Sequence, residues 1–247
     1  MGIIYQIQGK LKEALEHHQK ALKIHRKIAN KEGEAGDLGN MGNVYRIQGK
    51  LKEALQHCQQ ALKIDREIGH KKGEANQLGN MGNVYRIQGK LKEALQHYQQ
   101  ALDIDREIGH KKGEANQLGN MGIIYQIQGK LKEAHEHYQK ALKIHRESGY
   151  KEGEAGDLVN MGTVYRKQGK LKEALKHYQQ ALDIDRESGY KEGEAHDLGN
   201  MGTVYQIQGK LKEALNKLKE SLEIFKTLED STNIKKIIKI IKDLGEK

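Results

Sequence analysis

Proline and tryptophan are absent from the 247 residues, and phenylalanine and cysteine occur once each. Without proline no helix interior is broken, so long uninterrupted helices are allowed. The single cysteine, Cys58, excludes an intrachain disulfide and points to a reducing compartment. No run approaches the ~18 apolar residues of a membrane span, and the N-terminus lacks the apolar stretch of a secretory signal. The sequence therefore reads as cytoplasmic. Hydrophobic residues make up 36% and charged residues 31%, a bias that suits a slender architecture with much surface for its volume. The formal net charge is +9, but Lys and Glu alternate through most of the chain. A solvated charged surface explains that balance more simply than a nucleic-acid or membrane partner, and both of those are disfavoured.

What the chain has in quantity is itself. The stretch GNMGNVYRIQGKLKEA at 39–54 returns every 40 residues, nearly unchanged, from Gly79, Gly119, Val159 and Gly199, and Met1 falls where Met41 sits in a copy. A fixed period in this range marks stacked repeats, each too small to bury a core alone. The predicted organisation is a truncated repeat at 1–30, full repeats at 31–70, 71–110, 111–150, 151–190 and 191–230, and a last helix at 231–247. Repeats 31–70 and 71–110 differ at only five positions: Glu32/Lys72, Gly36/Asn76, Asp37/Gln77, Cys58/Tyr98 and Lys63/Asp103. Such uniformity suits recent duplication, which copies a working surface and an idle one alike.

Within 31–70, Gly49-Lys50 interrupts two helical patterns and Gly69-His70 ends the second. Helix A is predicted from about Lys31 to Gln48 and helix B from about Leu51 to Ile68. So short a link makes them an antiparallel hairpin. At about 100° per residue from Met41, Leu38 falls near +60°, Tyr45 near +40° and Val44 near −60°, forming one apolar face. Leu51, Ala54, Leu55, Cys58, Ala61 and Leu62 form the facing one. Gly42, Ala54 and Ala61 allow close backbone approach, and the hydroxyls of Tyr45 and Tyr98 need partners.

The series Leu38-x2-Met41-Gly42-x2-Tyr45, then Gly49, Ala54-x3-Cys58 and Ala61-Leu62, resembles the tetratricopeptide repeat. Ala94-x3-Tyr98 fits the aromatic position better than Cys58. Leu38 stands where that family favours Trp, the terminal Pro is missing, and the period is longer than the usual 34. The period resembles the 40-residue subclass of kinesin light chains and spindle-orientation adaptors. The resemblance implies an all-α fold: a right-handed superhelical α-solenoid of antiparallel helix pairs with a C-terminal capping helix. It also implies a non-enzymatic scaffold that binds protein or peptide in the concave groove of the A helices.

Opposite Met41, helix A carries Gly36, Gly39, Asn43 and Arg46, within about 40° of the far side. Glycines inside a helix cost about 1 kcal/mol each relative to alanine, so their return at Gly39, Gly79, Gly119 and Gly199 suggests room on a groove floor. Asn40, Asn80, Asn120, Asn160 and Asn200 form a ladder on the flank, and an amide pairs with peptide backbone whatever its sequence. In the 40-residue subclass similarly placed asparagines hold ligand backbone. Asn43 and Asn83 repeat one turn further on. Arg46, Arg86 and Arg166 share a helical position with Gln6, Gln126 and Gln206, and guanidinium suits carboxylate. The expected guest is an extended, acidic peptide or helix.

His17, His57, His97, His137 and His177 recur on helix B, but stacked helix pairs place such a ladder roughly 10 Å apart, too far for one metal. A half-buried edge beside Ile64 and Ile68 is the expected setting of His57. Carboxylates such as Asp65 and Glu67 are expected among Lys and Arg on the outer face of helix B, away from any pocket that would raise a pKa. No nucleophile recurs with a base beside it, so neither catalysis nor a cofactor is predicted. At the C-terminus Ser231 or Thr232 is expected to cap a helix with an apolar face of Ile234, Ile237, Ile238, Ile241 and Leu244 and a polar face of Lys235, Lys236, Lys239 and Lys242. Two rival functions follow: head-to-tail self-assembly through an open apolar face of the first helix B, and an adaptor for membrane or nucleic acid through the lysine-rich tail.

Overall fold

The computed structural model describes residues 2–7 and 9–245. Met1 and the side chain of Gln6 lie outside the described residues. The described residues form helices and no strand. The chain divides into two compact units, Met1–Ile124 and Tyr125–Lys247. In the first unit α1 (Gly2–Ile7), α2 (Leu11–Lys27), α3 (Lys31–Ile47), α4 (Leu51–Glu67), α5 (Lys71–Ile87) and α6 (Leu91–Glu107) pack each on the next where pairs meet, and α3 also touches α5. The boundary falls within α7 (Lys111–Ile127). In the second unit α8 (Leu131–Glu147), α9 (Lys151–Lys167), α10 (Leu171–Ser188), α11 (Lys191–Ile207), α12 (Leu211–Thr227) and α13 (Ser231–Gly245) pack in the same consecutive way. The odd-numbered helices from α1 to α11 are the A helices, and the even-numbered ones are the B helices. For 31–70 the observed ends differ by one residue from those the pattern predicts.

Each A helix stops because glycine takes a left-handed conformation. At Gly49 φ is 75°. Its N–H then donates to Arg46 O at 3.0 Å and that of Lys50 donates to Tyr45 O at 2.9 Å, satisfying the last carbonyls. Gly69 ends α4 likewise, with His70 N–H donating to Asp65 O at 2.8 Å. At two such turns a residue with a Cβ does the same work: Ala29 (φ 54°) and Glu229 (φ 55°).

The predicted faces make the core. Ala35, Leu38, Met41, Ala61 and Ile64 pack with Leu22 of the preceding B helix. A helix pair therefore completes its core with its neighbour's side chains. A Cβ at Gly42 would lie 2.7 Å from Cys58 Sγ and 3.2 Å from Ala54 O, so glycine sets the spacing between α3 and α4. Tyr98, Tyr138 and Tyr178 are fully buried. Their hydroxyls meet Asn83 Oδ1 (3.0 Å), Gln126 Oε1 (3.3 Å) and Thr163 Oγ1 (3.0 Å).

Where a B helix meets the next A helix, a buried glutamate is held twice. In one such contact Arg146 Nε donates to Glu154 Oε1 at 2.8 Å and Lys151 Nζ to Oε2 at 3.0 Å. Glu34, Glu114 and Glu194 repeat it. Burial pushes the Glu154 carboxyl up, but the bonds and charges of Arg146 and Lys151 outweigh it and leave its pKa lowered.

The last helix differs in two details from its prediction. Its cap is Asp230, one residue earlier than Ser231: the carboxylate accepts from Thr232 N at 3.1 Å and Asn233 N at 3.0 Å. The packed face is Ile234, Ile237, Ile240, Ile241 and Leu244, while Ile238 is exposed. This face covers Leu218 and Phe225 of α12, as a capping helix must.

Candidate functional site

Asn40 and Asn43 of α3, Asn80 and Asn83 of α5, and Asn120 of α7 all line one cavity of about 420 Å³ in the first unit. Helical spacing accounts for this. Asn43 and Asn83 stand opposite the buried Met41 and Met81, and Asn40, Asn80 and Asn120 stand on the flank, about 100° from Met41, Met81 and Met121. Four further amides line it, Asn76, Asn116, Gln77 and Gln117, and the last two each have Oε1 buried and lacking a hydrogen-bond partner. They also explain the glycines. A Cβ at Gly39 would come within 2.6 Å of Gln77 Oε1, and one at Gly79 within 3.2 Å of Gln117 Nε2. Gly39 and Gly79 thus admit the next A helix's glutamine rather than leaving room for a guest. Gly36 alone of the expected floor residues in α3 has open space before it.

Beside this cavity, Arg46 Nε donates to Asn43 Oδ1 at 3.4 Å. Burial, then the charge of Arg86, lowers the Arg46 pKa. Arg86 Nε is buried without an acceptor. These guanidinium groups are therefore short of counter-charge. In the second unit Gln126 is engaged by Tyr138, while Arg166 Nε is again buried and unpartnered. Asn160 and Asn200 line a different cavity, of about 440 Å³, with Asp185, Tyr190 and Asp197. The predicted asparagines thus gather in two places, one amide-rich and one acidic, while Arg46, Arg86, Gln126 and Arg166 line neither cavity.

The histidine ladder is structural. Nδ1 of His57 lies 2.8 Å from Glu53 O, and its ring packs 4.9 Å from that of Tyr45, over which Lys50 Nζ sits at 5.9 Å. The half-buried setting is as expected, and Tyr45 and Glu53 are among its neighbours. Among the described residues no group of three or more His, Cys, Asp or Glu converges as metal ligands.

Asp65 corrects the expectation of solvated outer carboxylates. It is only 2% exposed and faces the next A helix. Gln77 Nε2 donates to Oδ2 at 3.4 Å, and His70 Nδ1 is 3.0 Å from Oδ1. Burial raises its pKa against the pull of His70 and Gln77. The same position elsewhere carries a matched partner. Asp105 faces Gln117 at 3.4 Å, His25 faces Asp37 at 2.8 Å, and His145 faces Asp157 at 2.8 Å. The signal was present in the sequence as a covarying pair twelve residues apart, His with Asp and Asp with Gln. Asp185 with Asp197 breaks that rule.

The tetratricopeptide repeat profile matches residues 1–67, 73–147 and 157–227, and the chain belongs to the tetratricopeptide repeat family. No curated protein matches the sequence. Among solved structures, the chain is similar to BtubC from P. vanneervenii at 18% identity and TM-score 0.75, over 89% of this chain and 92% of that one. A Rap protein complexed with competence and sporulation factor is similar at 16% identity and TM-score 0.74, over 99% of this chain and 73% of that one. The nearly identical TPR-like repeats of a Podosopora anserina protein described as a kinesin light chain are similar at 17% identity and TM-score 0.61, over 78% and 95%. At such identities the likeness is one of fold. The class is that of protein-interaction scaffolds. Among the described residues no helix is long and apolar enough to cross a membrane.

Proposed function

We propose that the chain is a non-enzymatic scaffold that holds an extended peptide against the amide-lined face of its A helices, with acidic side chains directed to Arg46 and Arg86. The observation that carries this reading is the convergence of Asn40, Asn43, Asn80, Asn83 and Asn120 on one cavity. Amides offer donors and acceptors that match peptide backbone. The partnerless buried oxygens of Gln77 and Gln117 and Nε of Arg86 add hydrogen-bonding groups that protein alone leaves unmet. A Rap protein of similar fold, seen with a bound factor, supports the idea that such a helix array takes a guest.

The test uses peptides selected from a displayed random library on the intact chain. Changing Asn80, Asn120 and Arg86 together to alanine is expected to weaken them by about a hundredfold, from roughly 1 kcal/mol for each lost bond. Acidic residues should be enriched among the selected peptides. Unchanged affinity with helicity retained would refute the groove.

A second reading, self-assembly, draws on one observation: Ile3, Ile4, Ile24 and Ile28 are all more than half exposed, apolar surface that a second copy would cover. It requires a scattering mass that rises with concentration and falls when Ile24 and Ile28 become lysine. The lysine-rich tail offers less, because the apolar face of α13 is already spent on α12. Lys235, Lys236, Lys239 and Lys242 point outward beside a single exposed isoleucine, Ile238.

A further inference from the structure

The contact between α10 and α11 combines residues that occur apart elsewhere. Asp185 comes from a B helix of the type that normally faces glutamine, and Asp197 from an A helix of the type that normally faces histidine. Two carboxyl groups thus meet where the other pairs join a donor to an acceptor. Asp197 is 0% exposed and neither of its oxygens has a hydrogen-bond partner. Asp185 is 4% exposed. Both line the cavity of about 440 Å³ on the groove side of α9 and α11, together with Glu152, Tyr190, Asn160 and Asn200.

The basic groups nearby are Arg186, Lys191 and His196, the last of which also lines the cavity. Arg186 Nε and Lys191 Nζ both hold Glu194, each at 2.8 Å. His196 lies 3.9 Å from Glu192 and packs its ring edge-on to Phe225 of α12. Glu220 of α12 faces Arg186 at 3.9 Å. From α9 the approaching charge is Glu152, which is negative again.

We propose that this cavity binds the guanidinium group of an arginine side chain on a bound peptide, with Asp185 and Asp197 as counter-charges and the Tyr190 ring beside it. A planar guanidinium offers parallel N–H donors to paired carboxylates and stacks on an aromatic face. It supplies the donors that Asp197 lacks. Asn160 and Asn200 at the same cavity suit the peptide backbone that carries it. Burial pushes both carboxyls up, Asp185 to about 6 with help from Glu152 and Glu194, and Asp197 to about 8 with help from Asp185. An arriving cation therefore displaces a proton, and binding strengthens as pH rises toward 8.

The inference stands apart from the amide groove of the first unit, and its test keeps the two separable. N-acetyl-arginine amide is titrated calorimetrically into the intact chain at pH 8. Saturable binding is expected at millimolar concentration or below, with the neutral isostere N-acetyl-citrulline amide inert and N-acetyl-lysine amide weaker. Asp197→Gln copies the Gln77 arrangement and so should fold, yet weaken the arginine probe by at least about tenfold. The triple change of Asn80, Asn120 and Arg86 should leave the probe's affinity intact. A pentapeptide with a central arginine should bind more tightly than the single residue, and equal affinity would overturn the peptide as source. No saturation up to about 10 mM, equal binding of the citrulline probe, tighter binding of lysine, or an unchanged Asp197→Gln variant would overturn the guanidinium site and leave a proton shared by the two carboxyls.

Discussion

Replacing Asp197 by asparagine should make the protein more stable, and increasingly so as pH rises. The carboxyl is 0% exposed, has no hydrogen-bond partner, and lies in the field of Asp185. Its folded pKa stands at about 8, against ~3.9 in an unfolded chain. The folded state therefore holds the proton more tightly than the unfolded one. Stability from this group is fully present below about pH 4 and is lost as pH climbs through the folded value near 8. The gap between the folded and unfolded values corresponds to an upper bound of about 5.6 kcal/mol, of which some 4 kcal/mol is felt at pH 7. Relaxation around the carboxylate and water entry reduce this, so a gain of about 2–4 kcal/mol for Asp197→Asn at pH 7 to 8 is expected. In a chain of this size that is roughly 5–15 °C in melting temperature. The introduced amide can donate to Asp185 as Gln77 donates to Asp65. Circular dichroism melts of both proteins at pH 4, 6 and 8 provide the assay. The curves should lie closest near pH 4 and separate progressively between pH 4 and 8. Parallel dependence on pH, or a less stable variant at pH 8, would refute the argument.

Four further outcomes follow from individual repeats. Cys58→Tyr should raise stability by about 1 kcal/mol, since Tyr98 fills the equivalent site and bonds to Asn83, the counterpart of Asn43; a loss measured by urea unfolding would show that the two sites differ in shape. The native Cys58 thiol, buried and pushed up to about 12, should stay unreactive to thiol reagents until the protein unfolds. Ala29→Gly should stabilise by about 0.5–1 kcal/mol, because φ is 54° there and the matching turns carry glycine. Glu154→Gln should cost about 1 kcal/mol at neutral pH, discounted because Arg146 and Lys151 are half exposed. That loss should vanish in acid: a lowered folded pKa contributes above the unfolded value and is lost as pH falls through the folded one.

The helix pairs were legible because their causes are local. Gly49 must end a helix, and Leu38, Met41 and Tyr45 must share a face, whatever the neighbours do. The amide cavity was legible for the same reason: Asn40 and Asn43 lie away from Met41 by helical geometry, and the 40-residue period carries that to Asn80, Asn83 and Asn120. Gly39 was misread because its true neighbour, Gln77, belongs to the next A helix. Asp65 was misread because a wheel drawn for one helix pair shows its outer face as solvent, whereas the following A helix covers it. The helix cap at Asp230 was missed by one residue, because Ser231 and Thr232 are equally good caps in isolation and only backbone geometry selects among them.

From the sequence by itself came an all-α array of paired helices, its period, its core positions and the chemical character of its A-helix face. These depend on the 3.6-residue period and on glycine's freedom at turns, both properties of the chain read in order. Tertiary structure decided which buried groups find partners. Asp65 gains Gln77, and His145 gains Asp157. Asp197 meets only another carboxyl and is left without a donor. Burial and charge pairing depend on what a second helix brings to within a few ångströms. In near-identical repeats a single exchanged residue therefore turns a satisfied contact into a candidate binding site.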